Sequence, residues 1–255
     1  RPQVMSNKLL NSLQLSGFLS FAPESNAVAL TNLNVLIGPN GVGKSNFIEA
    51  IELLHATPAD FSGVIRQGGT PNDWIWRGGK GATAARIEAL LSPIDTTPEL
   101  RYAVEFTESA GRLEISDEVL EEVSKADPRA FDVRFYYRFQ RGHPAINVSE
   151  TVTRREGFQL QHKERKLKRE SVDPQQSILS QRKDPELYPE VTTTGKRFGD
   201  IQVFREWSFG RSAALRTAQP SNLPTDVLLP QLVNLGLVLN DLEHRNEWTR
   251  FNDLM

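Results

Sequence analysis

No cysteine occurs in the sequence. Disulfide staples and thiolate metal sites are therefore excluded, and a reducing compartment, the cytoplasm, is the expected location. No apolar run is long enough to span a bilayer and no signal-peptide core is visible, so no membrane partner is expected. Neither sign of charge prevails: 30 Lys and Arg face 32 Asp and Glu, a net charge of -2. The whole-chain field thus gives no push towards nucleic acid, and any basic surface has to be local. The remaining composition is ordinary. A chain of 255 residues, 38% hydrophobic and 24% charged, can build one large domain or two small ones. "RPQV" precedes Met5; a leftover leader with Met5 as the natural start and an authentic extension fit equally well.

One stretch stands out, "LIGPNGVGKS", residues 36–45. It has the spacing G-x-x-x-x-G-K-[ST], and its setting is the required strand, loop and helix. "LNVLI", Leu33 to Ile37, is short, apolar and rich in β-branched residues, as a buried strand would be. "SNFIEAIELLHA" places Phe47, Ile51 and Leu54 on one helical face with Ile48 beside them, while Glu49 and Glu52 turn away. Gly38, Gly41 and Gly43 let the backbone turn tightly and bring N–H groups to phosphate oxygens. The helix N-terminus adds its positive dipole end. Lys44 supplies a point charge for the β- and γ-phosphates and is the one catalytic residue assigned; Ser45 offers its hydroxyl to Mg²⁺. The expected nucleotide-binding set is Gly38, Pro39, Asn40, Gly41, Val42, Gly43, Lys44, Ser45 and Asn46.

Four regions follow from the pass along the chain. Residues 1–57 hold an approach strand with Leu13, Leu15, Gly17 and Leu19 on one side, a hairpin through "ESN", and the strand–loop–helix. Residues 58–81 read as a Gly-rich connector pinned by Trp74 and Trp76, although Arg66, Arg77 and Lys80 leave a phosphate- or partner-contacting loop as the alternative. Residues 82–200 read as a β-rich lobe whose strands alternate apolar and polar residues, giving an antiparallel sheet with one solvated face. Within it, "SDEVLEEVSKADP" reads as a short helix from N-cap Ser116 to Pro128. "HKERKLKRES" is a basic run, read as a solvated face rather than a nucleic-acid patch; the Pro-bearing stretch after it reads as an irregular crossing. Residues 201–255 hold a returning strand "IQVFREWSFG", a loop, and a helix marked by Leu228, Leu232, Leu235, Leu239 and Leu242.

A P-loop hydrolase also needs an acidic residue at the end of a second buried strand, to hold Mg²⁺ and position water. "LVLND", ending at Asp241, is the nearest match, but the 4-3-4-3 leucine spacing puts Asp241 on the outside of a helix. Glu105 ends a strand-like run in the amphipathic lobe, and Asp200 precedes its strand, where it cannot reach a site at the strand's carboxyl end. No stretch resembles the "LSGGQ" loop that presses on a partner's γ-phosphate. The nucleotide cradle is present without the parts that complete hydrolysis, so this chain is a fragment or those parts come from another chain.

"LQLSGFLSF" followed by "LNVLIGPNGVGKSNFIEAIELL" resembles the N-terminal half of RecF/SMC/OLD-like ABC-type ATPases, which are also grouped with AAA ATPases. Two departures are plain. Val42 replaces the usual serine of "GPNGSGKSN", and Leu19 stands where the family phrase "NF(R/K)SF" has a basic residue reaching towards nucleotide. "LVNLGLVLNDLEHRNEW" is similar to the family's helix after the β-lobe. The resemblance implies an α/β P-loop NTPase of ABC-ATPase-head type: a mixed central sheet, an antiparallel β-lobe and a C-terminal helix, with the head incomplete. It implies ATP and Mg²⁺ as cofactors and ATP-driven dimerisation in DNA repair, chromosome maintenance or phage defence. The implied partner is a second copy, or a complementing C-terminal half carrying Walker B and the signature loop; DNA is a further candidate. For the glutamine that senses Mg²⁺ and γ-phosphate the choice is Gln219, with Gln202 and Gln67 as rivals and an exposed amide without a role as the bland alternative.

Three other readings stay open. A GTPase would need a base-reading "NKxD", which is missing; a P-loop kinase would need paired lid arginines, for which only Arg211 and Arg216 qualify. A nucleotide-gated module that never hydrolyses fits the missing acids. A DNA-binding structural module is disfavoured by the charge balance.

Overall fold

The computed structural model describes residues 8–245 except 80, 95–96, 124–133, 141, 155–156, 206–209 and 230–231; the side chains of 149–164 and 169 also lie outside the description. The chain divides into two compact units, residues 1–201 and 202–255.

Alternation builds the first unit. β1 (Leu10–Ser16) buries Leu13 and Leu15 and pairs antiparallel with the two-residue β2 (Val28–Ala29). On its other side come β3 (Ala85–Leu91), β4 (Leu100–Ser109), β5 (Arg112–Glu122), β6 (Phe135–Gln140), β7 (His143–Arg154) and β8 (Gly157–Lys166). They form one eight-stranded sheet, ordered β2-β1-β3-β4-β5-β6-β7-β8, in which every pairing is antiparallel. Register puts Leu15, Ile87 and Val104 side by side on the inner face, and Leu120, Tyr137 and Ile146 further along it. All six are buried.

Among the described residues five α-helices belong to this unit: α1 (Lys44–Ala56), α2 (Phe61–Gln67), α3 (Pro71–Trp74), α4 (Ile178–Gln181) and α5 (Pro189–Gly199). Phe61 meets Phe106 edge-on at 5.6 Å, and Phe198 meets Tyr102 at 5.3 Å, so aromatic contacts tie helices to the inner face. The outer face carries a lattice of half-buried ion pairs: Arg86 with Asp117 at 2.7 Å, Arg101 with Glu88 at 2.7 Å and Glu121 at 2.6 Å, Arg138 with Glu121 at 3.3 Å. This is the solvated face that the alternation requires.

Several local expectations give way to tertiary pairing. Residues 116–122 are strand, not helix. Val119 and Leu120 suit either period, but β4 and β6 flank this stretch, and a bulge opposite Glu105 and Phe106 turns Glu118 and Leu120 inward. Pro128 lies outside the described residues. The connector folds into α2 and α3, because Asp60 accepts from the Gly63 N–H and Thr70 with Asp73 closes a capping box. Trp74 is buried, lies 6.0 Å from the Phe18 ring, and donates its indole N–H to the Ile65 carbonyl at 3.0 Å. The expected irregular crossing contains α4 and α5. The expected returning strand is irregular through residue 205 and then leaves the described residues. In the second unit the leucine stripe yields a shorter helix, α6 (Leu235–His244). Leu232 has φ +62, and the Asn234 side chain donates to the Pro224 and Val227 carbonyls and accepts from the Leu229 N–H, which holds the preceding residues as a loop.

Glu118 sits in the first unit's core. Its carboxylate accepts from Tyr102 Oη at 2.8 Å, from Ser177 Oγ at 2.5 Å and from the Ile178 backbone N–H at 3.0 Å. Ser177 is also the N-cap of α4. One buried acid thus fastens the 177–181 segment to the sheet. Burial pushes the Glu118 carboxyl up to about 7, against the opposing pull of its three donors. Among the described residues no helix is long and apolar enough to cross a membrane.

Candidate nucleotide-binding site

The Walker loop leads into α1 as its spacing demands. Gly43 is the N-cap with φ +100, and Gly41 has φ +81. Left-handed φ values of this kind suit glycine and turn successive N–H groups inward. Gly43 offers no capping side chain, so the first-turn N–H groups of α1 keep no side-chain partner there. The Lys44 ammonium lies over the loop and donates to the Gly38 and Pro39 carbonyls, each at 2.7 Å. Ser45 is exposed one residue further along the helix. The loop thus carries a cation and an uncapped helix start, with a hydroxyl on the next residue. That constellation suits a polyphosphate.

Gly43 is irreplaceable on geometry. A Cβ there would lie 2.6 Å from Ser20 Oγ and 3.4 Å from the Phe21 ring, on top of the unfavourable φ. Gly43→Ala is expected to weaken nucleotide binding more than about tenfold, since the strain of order 1–2 kcal/mol falls on the loop itself. Calorimetric titration of the variant checks this. Val42, exposed and pointing away from the core, is expected to tolerate serine.

The segment before the loop, expected to be a buried strand, is irregular and exposed. Leu33, Val35 and Ile37 are 82%, 74% and 88% exposed, and residues 33–37 pair with no strand among the described residues. Their start is closed by a local turn in which the Thr31 N–H donates to Asn34 Oδ1 and Asn34 Nδ2 donates to the Thr31 carbonyl, both at 2.9 Å. An apolar strand of this kind is stable only between two neighbours, and β2 at the sheet's edge does not extend to it. Ile48, on α1, is also partly exposed.

The other singled-out residues are dispersed. Gln219 is in the second unit, where its Oε1 accepts from the Gly236 N–H at 2.9 Å at the start of α6. Gln202 is in that unit too, and Gln67 ends α2. Asp241 lies on α6 and pairs with Arg245 at 2.8 Å, which agrees with the leucine-stripe reading. Glu105 is on the outer sheet face and accepts from Ser116 Oγ at 2.9 Å; Asp200 caps the end of α5. Arg66 donates to Ser62, and Arg77 pairs with Asp73 at 2.6 Å, so both arginines are tied within the connector; Lys80 is outside the described residues. Arg211 and Arg216 lie in the second unit's loop, with Arg216 ending a short 3-10 turn. Sequence reasoning missed Ser20 and Phe21 as neighbours of Gly43. Both belong to the phrase "GFLSF", the one signal in the sequence that could have pointed to them.

Against known proteins, residues 33–220 match the family described as "AAA domain, putative AbiEii toxin, Type IV TA system". The chain is 32% identical over 97 residues to the chromosome partition protein Smc of Xanthomonas oryzae pv. oryzae, covering 37% of this chain and 8% of that protein. It is 50% identical over 42 residues to Smc of Delftia acidovorans, covering 16% and 4%. The chain thus spans under a tenth of the length of these curated relatives. A solved structure from work on "ATP-driven dimerization and DNA stimulated activation of SMC ATPases" aligns with 45% of this chain and 70% of its own, at 22% identity and TM-score 0.36.

Proposed function

The chain belongs to this AAA-domain family of P-loop ATPases related to SMC heads, and from that premise we propose that it is the ATP- and Mg²⁺-binding part of an ATPase head whose catalytic partner elements are carried elsewhere. The observation that carries the proposal is the Walker loop, with Lys44 held over it and an uncapped helix start beneath it. In this reading the Gly38–Gly43 backbone and Lys44 hold the β- and γ-phosphates. Ser45 is the residue whose hydroxyl would hold Mg²⁺ beside the phosphates. Among the described residues no cluster of three His or carboxylate groups could hold a metal by itself.

The exposed Leu33–Ile37 segment supports the second element of the proposal. Strands of a complementing half, carrying the Walker B acid and the signature loop, flank it and complete each site. ATP then favours association of two such heads, and DNA is a candidate ligand of the assembly. Such a role would serve repair, chromosome maintenance or phage defence. A nucleotide-gated module that never hydrolyses remains the second reading, favoured by the lattice and helix positions of Glu105 and Asp241.

The exposed segment gives a direct test. Val35→Lys is expected to leave the thermal midpoint of the isolated chain unchanged, within the roughly 0.5 kcal/mol typical of surface substitutions. A large fall in the midpoint, measured by circular dichroism, would mean that the segment is already paired in solution.

A further inference from the structure

The turn that follows β1 bears directly on the Walker loop. Phe18 and Phe21 exchange backbone hydrogen bonds at 3.0 and 2.8 Å, closing a four-residue turn with Leu19 and Ser20 at its tip. The connector grips one side: the Leu19 N–H donates to the Trp74 carbonyl and the Trp76 N–H to the Gly17 carbonyl, both at 2.8 Å. The other side meets the start of α1. Asn46 Nδ2 donates to Ser20 Oγ at 2.9 Å, and Phe21 packs on Phe47 with ring centroids 6.5 Å apart. Ser20 Oγ also lies 2.6 Å from where a Cβ on Gly43 would stand.

These contacts have a common meaning. A helix start normally receives a side-chain oxygen from its own N-cap residue. Gly43 cannot supply one, because the loop needs its positive φ. Ser20 places a hydroxyl in that space from another segment, and Asn46, the third residue of the helix, holds it there. Because Ser20 Oγ accepts from Asn46, its own proton is left free to donate. We infer that Ser20 is a positioning residue of the nucleotide site, fixing Gly43 and the first turn of α1 through Asn46. The inference rests on the ATP-binding reading above, and it gives Asn46, expected to be a direct ligand residue, a role within the frame of the loop.

The test is calorimetric titration of Mg²⁺·ATP into the wild-type chain, Ser20→Ala, Ser20→Thr, Asn46→Ala and the Ser20→Ala/Asn46→Ala double variant, with thermal midpoints recorded for each. Loss of one hydrogen bond predicts about fivefold weaker binding for each alanine variant. The double variant should lose no more than the weaker single one, because both remove the same contact. Ser20→Thr, which keeps the hydroxyl, should bind within about twofold of wild type, and midpoints should stay level. Wild-type-like binding by Ser20→Ala, additive losses, failure of threonine to restore affinity, or losses that track falling midpoints would each overturn the inference while wild-type binding stands. No binding by the folded wild type would instead overturn the nucleotide reading, and this inference with it.

Discussion

Lys44→Ala is expected to weaken Mg²⁺·ATP binding about 100-fold or more. The ammonium donates to the Gly38 and Pro39 carbonyls of the loop, and in the proposed reading it exchanges them for phosphate oxygens. Hydrogen bonds to charged groups are worth about 1.5–3 kcal/mol each, so removing two such bonds to phosphate costs roughly 3 kcal/mol at least. Stability should hardly change, since both carbonyls return to water when the side chain is cut back. Calorimetry on wild type and variant, with phosphate release followed in the same samples, decides the matter. The expected pattern is binding by wild type, none by the variant, and no turnover by either. Turnover by the chain alone would overturn the incomplete-head reading and point to Glu105 or Asp241 as an unrecognised catalytic carboxylate.

Glu118 controls the largest expected effect on stability. Glu118→Ala strands three buried donors, the Tyr102 and Ser177 hydroxyls and the Ile178 N–H, and leaves a void between β5 and the start of α4. At about 1–3 kcal/mol for each stranded group, less what local repacking recovers, the loss is roughly 3–5 kcal/mol. For a domain of this size that is about 6–20 °C in thermal midpoint. Glu118→Gln separates charge from packing, because the amide keeps the shape of the protonated acid. The folded carboxyl titrates near 7 and the unfolded one near 4.5. Between those values the folded state keeps a proton that the unfolded state has released, so this group's contribution to stability falls as pH rises from about 4.5 to about 7, by roughly 3 kcal/mol in all. Asp117 opposes the ionised form. Buried Tyr102 and Tyr137, whose own hydroxyls are pushed up chiefly by burial, stay neutral throughout, while Arg182 lies nearby as the one cation acting on Tyr137. Urea unfolding of wild type and Glu118→Gln at pH 4.5, 5.5 and 7.5 should show the stability difference shifting towards glutamine as pH rises. A pH-independent difference would mean that Glu118 is ionised in the core across this range.

How legible the molecule was in its sequence depended on how far apart the deciding residues lie. The Walker loop was legible because its chemistry is local: glycines at fixed offsets, a lysine, a hydroxyl and an amphipathic helix within one short stretch. The lobe strands were legible because a period of two survives any neighbour. Residues 116–122 were not, since Val119 and Leu120 fit both periods and only β4, β6 and the bulge choose between them. The short helices of the connector and the crossing were hidden for a related reason. Their caps are local, but their stability comes from contacts such as Phe61 on Phe106 and Phe198 on Tyr102, which join residues far apart in the chain.

The sequence by itself determined that a glycine-rich loop of G-x-x-x-x-G-K-[ST] spacing exists, that it opens a helix, and that antiparallel strands follow. Each of these rests on hydrogen bonds and periodicities spanning a few residues. Only the tertiary structure decided that Ser20 stands beside Gly43, that Glu118 is buried among three donors, and that the apolar segment Leu33–Ile37 is unpaired and uncovered. Those are properties of neighbours brought together by the sheet. A strand's apolar composition records what it can bury, whereas the segments around it decide whether it is buried.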